Sequence, residues 1–119
     1  NKIYIIKMDE NTVKVLEIFD SNDVSIDISN FNITDLLDIE KFTKLEELNC
    51  AQNVITSIKF NDSLKFLDCS NNQIEKLILN GRYEWPEIRI NGDDEFILIM
   101  CPLNSKFFIR LNTLPSEII

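Results

Sequence analysis

Two stretches of this chain are near copies of one another: Leu48-Asn49-Cys50-Ala51-Gln52-Asn53-Val54-Ile55-Thr56-Ser57-Ile58 and Leu67-Asp68-Cys69-Ser70-Asn71-Asn72-Gln73-Ile74-Glu75-Lys76-Leu77. Both read Leu-x-Cys-x-x-Asn-x-Ile-x-x-Ile/Leu, and a leucine stands three residues ahead of each, at Leu45 and Leu64. A unit this short has an apolar side that it cannot bury by itself. Copies must stack and share a core with their neighbours.

The combined pattern, L-x-x-L-x-L-x-x-N-x-L, resembles the leucine-rich-repeat family. The resemblance implies an α/β-type leucine-rich-repeat solenoid, mostly β, with a parallel sheet on its concave face and short 3₁₀ or extended segments on its convex side. The same apolar spacing extends in both directions. Upstream, Ile26 and Ile28 take the inward strand places, Phe31 stands at the Asn position, and Ile33 and Leu36 continue the pattern. Downstream, Ile88 and Ile90 take those places with Asp93 at the Asn position, then Ile109 and Leu111 with Leu114. The spacings from Ile26 through Leu48, Leu67 and Ile88 to Ile109 are 22, 19, 21 and 21 residues. One domain over 1–119 is expected: an N-terminal cap over 1–22, clear repeats over 23–84, and degenerate repeats or a C-terminal cap over 85–119.

Outside the repeat, Lys2–Met8 and Thr12–Phe19 flank Asp9-Glu10-Asn11 and read as a β-hairpin capping the open apolar end. Thr34 can N-cap a helix of about two turns through Phe42, with acid early and Lys41 late. Residues 90–100 fit either a further coil or a second hairpin.

The net charge of −8 opposes nucleic acid and anionic membrane as partners, because such binding draws on Lys and Arg. No opening segment has the form of a secretory signal, and the first residue is Asn, as in a processed or excerpted piece. The longest strictly apolar run, Phe96 to Cys101, is far short of a bilayer crossing. Cys50 and Cys69 share one inward repeat position and read as small buried hydrophobes, reduced in a cytoplasmic setting, or in a host cytoplasm if the chain is viral or an effector. Asn32-Ile33-Thr34 and Asn61-Asp62-Ser63 fit the glycosylation acceptor pattern, which arises often by chance in an Asn-rich chain.

Histidine is absent, removing the commonest general base and zinc ligand. No P-loop, dinucleotide fingerprint or nucleophile elbow occurs. Asp93-Asp94-Glu95 lacks the alternating acid spacing of a calcium loop and reads as a polar turn. No enzyme, cofactor or metal is expected. Asn53 and Asn72 are assigned to the fold, as the structural ladder that the resemblance implies. The outward positions form the candidate partner surface: Asp27, Asn49, Asp68 and Arg89 in one row, with Arg110 next if a further coil exists, flanked by Glu46, Glu47, Lys65, Phe66 and Glu87. Its acidic end fits a protein with a basic surface, and Phe66 is the apolar anchor. The expected function is a non-enzymatic protein–protein interaction module using the concave face and rims. The alternatives are a structural or assembly subunit, such as a virion or scaffold component, and the substrate-recognition piece of a larger enzyme such as a ubiquitin ligase. Self-association stays open.

Overall fold

From Ser25 to Ile78 the chain passes back and forth between two sheets, and each pass contributes one short strand to each. The computed structural model describes residues 7–60, 62–78, 87–90, 92, 94–100 and 107–119. After helix α1 (Glu10–Leu16), strands β1 (Ser25–Asp27), β3 (Glu47–Asn49) and β5 (Phe66–Asp68) join one sheet. Strands β2 (Thr34–Asp38), β4 (Val54–Lys59), β6 (Lys76–Ile78) and β10 (Glu117–Ile118) form the other, which is parallel throughout. The first sheet continues with β7 (Glu87–Ile90), β8 (Phe96–Met100) and β9 (Phe107–Leu111), giving the order β1-β3-β5-β9-β8-β7. Its β1-β3-β5-β9 part is parallel, and its β9-β8-β7 part is antiparallel.

Register explains the core. Ile26, Leu48, Leu67 and Ile109 lie side by side across the first sheet, and Leu37, Ile58, Leu77 and Ile118 across the second. All of these are buried except Ile118, which packs against the same hydrophobic cluster. Phe60 and Phe107 meet edge to face at 5.1 Å within it. Burying each such side chain contributes about 1.5–3 kcal/mol, which is what holds strands of three residues in place.

The corners follow one rule. Two residues beyond the inward Ile28, Cys50 and Cys69 the chain turns, and Asn30, Gln52 and Asn71 adopt left-handed φ values of 59°, 57° and 55°. Asn tolerates that region better than most residues. Just before it, Asp27, Asn49 and Asp68 each accept the backbone N–H two residues on, from Ser29, Ala51 and Ser70, at 2.9, 3.0 and 3.1 Å. Asn53 then braces the next corner, accepting from Phe31 and Ile33 N–H and donating to the carbonyls of Ile28, Cys50 and Ala51. Asn72 accepts from Ile55 N–H and donates to the carbonyls of Cys50, Cys69 and Ser70.

This architecture corrects the leucine-rich-repeat solenoid expected from the sequence. A second parallel sheet replaces the short 3₁₀ or extended convex segments, the last part of the first sheet is antiparallel, and the extents of 34 × 33 × 31 Å are nearly equal rather than elongated. The fold is a small two-sheet α/β unit. The N-terminal hairpin cap is also corrected: Glu10–Leu16 is helical, with Asp9 as its N-cap accepting from Thr12 N–H at 2.7 Å, while residues 1–6 lie outside the described residues. Helix dipole chemistry supports it, with Glu10 in the first turn, Lys14 in the last and an ion pair between them at 3.5 Å. The helix expected from Thr34 is strand β2 instead. Its adjacent Leu36 and Leu37 are both buried because Asp35 takes a φ of 61° where the register with β4 shifts. Thr34 caps nothing, and its hydroxyl donates to the carboxylate of Asp9. Glu87–Ile90 pairs antiparallel with Phe96–Met100, which overturns the further coil through Ile88 and Ile90.

Candidate functional site

Outward residues of β1, β3 and β5 surround a shallow concavity of about 240 Å³, to which Ser25, Asp27, Glu47, Asn49, Phe66 and Asp68 contribute. Strand register sets its rows. Ser25, Glu47, Phe66 and Phe108 form one, and Asp27, Asn49, Asp68 and Arg110 the next. At the rim, Lys65 pairs with Glu46 at 3.1 Å. Glu47 is exposed and enters no ion pair shown among the described residues.

Several of these polar groups already have work inside the fold. Asp27 and Asp68 each accept from a serine hydroxyl two residues on, at 2.7 and 2.6 Å, in addition to the backbone N–H. The Ser29 hydroxyl, then its N–H, holds the Asp27 carboxyl below its ordinary range against a small opposing effect of burial. Asp68 also lies 3.8 Å from the Arg110 guanidinium, which bonds Glu95 through Nε. A second concavity of about 260 Å³ opens around Arg110, with Ser70, Asn71, Asp94, Glu95 and Asn112. Asn112 ties it together, donating to Asp94 O at 2.8 Å and accepting from Asn71 N–H.

Beneath this face, Cys50 and Cys69 are buried free thiols whose Sγ atoms donate to the carbonyls of Asp68 and Arg110 at 3.4 and 3.3 Å. Burial, reinforced by the neighbouring Cys50 thiol, pushes the Cys69 thiol well above its ordinary pKa. Neither has the electropositive, accessible setting of a reactive cysteine. Among the described residues no three His, Cys, Asp or Glu side chains converge as metal ligands would, and no helix is long and apolar enough to cross a membrane.

Of the residues singled out in the sequence, Asp27, Glu46, Glu47, Asn49, Lys65, Phe66 and Asp68 come together at the first concavity or its rim. Arg89 and Glu87 do not. They pair with one another at 3.2 Å on β7, and both β9 and β8 stand between them and Asp68, so Arg110 takes the place assigned to Arg89. Asp93 and Cys101 lie outside the described residues. Sequence reasoning missed Phe108 as a surface residue, although it precedes Ile109 as Phe66 precedes Leu67. It also missed the corner-bracing role of Asp27, Asn49 and Asp68. The signal for that role was present in Asp27-x-Ser29-Asn30 and Asp68-x-Ser70-Asn71, where a side-chain acceptor three residues ahead of the left-handed corner closes a turn on the N–H two residues on.

Fold and face together define a β-rich two-sheet unit whose outward face carries the carboxylates of Asp27, Glu47 and Asp68. Comparison with known proteins finds no family model that matches the chain, no curated protein that matches it and no solved structure that matches it.

Proposed function

We propose that this chain is a non-enzymatic interaction module that docks a basic, apolar-anchored segment of another protein on the outward face of β1, β3, β5 and β9. One observation carries this reading: Phe66 and Phe108 stand in register at 40% and 37% exposure, with the carboxylates of Asp27, Glu47 and Asp68 close by. Two adjacent half-exposed aromatics offer the kind of anchor on which interfaces concentrate their binding energy. The acidic surround favours Lys and Arg beside whatever apolar group meets those rings and disfavours polyphosphate. Buried free thiols at Cys50 and Cys69 fit a reducing compartment such as the cytoplasm.

A random peptide library displayed against the intact chain tests this. Enrichment of peptides combining an aromatic or aliphatic residue with Lys or Arg is expected, with binding weakened about tenfold or more by Phe66→Ala and several-fold by Glu47→Lys. Absence of any enriched motif, or enriched peptides indifferent to both substitutions, would overturn it.

A further inference from the structure

Strand β7 ends the six-stranded sheet, and among the described residues it pairs with β8 on one side only. All four of its residues are exposed, whereas β9 alternates between buried and exposed. Ile88 and Ile90 stand on the core side of the sheet, in register with Leu98 and Phe96, yet remain 41% and 71% exposed. Such an edge is a template for another strand, and chains that avoid pairing there guard it with like charges, proline or a bulge. Within β7 the charges cancel, Glu87 and Arg89 summing to zero in a chain carrying −8, and the nearest proline, Pro86, precedes the strand in sequence.

We infer that β7 is a dimerisation edge, to which a second copy of this chain adds its own β7 antiparallel about a two-fold axis at Ile88. That register sets Ile88 against its counterpart and Glu87 of each copy opposite Arg89 of the other. Moving the axis to Arg89 would put two guanidiniums face to face, and like charges directly opposite are destabilising. Only the axis at Ile88 sets opposite charges of β7 against each other, so the charge pattern favours that register, and the two-fold makes the contact self-complementary. Forming it exchanges the Glu87–Arg89 pair within each strand for two pairs across the contact. The intrastrand pair is solvent-exposed and of little worth. Main-chain bonds along so short an edge, with Ile88 against Ile88, make a weak and reversible dimer, below the roughly 1,200 Å² of a stable interface. This inference is independent of the peptide-binding face, which lies toward the opposite end of the same sheet.

Sedimentation velocity of the full chain over a wide concentration range is expected to show a monomer–dimer equilibrium. Arg89→Glu sets acid against acid and should weaken the dimer about tenfold or more, and Ile88→Asp should abolish it. Glu87→Arg combined with Arg89→Glu should restore it, since the pairs re-form with their signs exchanged. These charge substitutions involve exposed side chains only, and far-UV circular dichroism should stay that of the parent. A chain that remains monomeric throughout, a dimer indifferent to Arg89→Glu and Ile88→Asp, or a loss that the double exchange fails to recover would each overturn the assignment.

Discussion

Asn53 and Asn72 converge on one acceptor: the side-chain amides of both donate to the main-chain carbonyl of Cys50, each at 2.9 Å. Among the described residues, replacing either by alanine leaves that oxygen one of these two side-chain donors, and replacing both leaves it neither. Each single substitution is expected to cost about 1–3 kcal/mol, with Asn53→Ala the costlier because Asn53 is buried and satisfies five backbone groups against four for Asn72. The double variant should lose more than the sum. Urea denaturation of the four proteins measures the coupling, and strict additivity would show that the shared carbonyl does not matter.

Leu67 and Phe66 are neighbours on β5 that face opposite ways, one fully buried and one on the candidate surface. Leu67→Ala is expected to cost about 2–5 kcal/mol, and Phe66→Ala about 1 kcal/mol or less. Equal losses by thermal or urea unfolding would contradict the assignment of faces. The same contrast makes Phe66→Ala a clean probe of binding.

Asp9 links α1 to β2, accepting from Thr12 N–H and from the Thr34 hydroxyl. The Thr34 hydroxyl chiefly, opposed by burial and aided by Thr12, holds its carboxyl below the ordinary value of 3.8. A depressed carboxyl pKa contributes stability that is present above the unfolded value and lost as pH falls through the folded one. Asp9→Ala should therefore cost about 1 kcal/mol near neutral pH, with the gap from the parent level above about pH 5 and shrinking as the pH drops below 3.8. A gap unchanged in acid would show that the carboxylate charge plays no part.

Cys69 is expected to resist alkylation in the native chain and to react only on unfolding. Its raised pKa means that the unfolded thiol ionises first, so stability present below the ordinary thiol value of 9.0 declines as pH rises beyond it. Iodoacetamide labelling across a urea series, read by peptide mass, checks this at Cys69 itself. Labelling that precedes global unfolding would mean that the covering strands open locally.

How much of this was legible in the chain varies along it. Leu48 and Leu67 stand in register because their surroundings are near copies, and a repeated unit with identical spacing aligns with itself. Thr34–Asp38 was not legible as a strand, since an acid-rich run with a capping threonine satisfies helix rules locally. Only the distant partner β4, which pairs with it along five residues, decides otherwise. Asp9-Glu10 before Thr12–Leu16 presents the reverse case, where alternating valines suggested a strand and the capping carboxylate won. At Glu87–Ile90 the residues fit a parallel rung as well as a hairpin arm, and the antiparallel pairing with β8 is set beyond that segment. The surface followed suit: positions on β1, β3 and β5 were correctly grouped by spacing, while Arg89 was displaced and Arg110 took its seat.

One consequence concerns how the polarity of this surface can be altered. Asp27 and Asp68 lend an oxygen to the bends that follow them, so neither can be exchanged for lysine without unfastening a corner. Glu47 has no such duty among the described residues. Reversing the charge of this face would thus have to proceed through glutamates and leave the aspartates alone, for the sign of the surface and the shape of the chain are written in the same side chains.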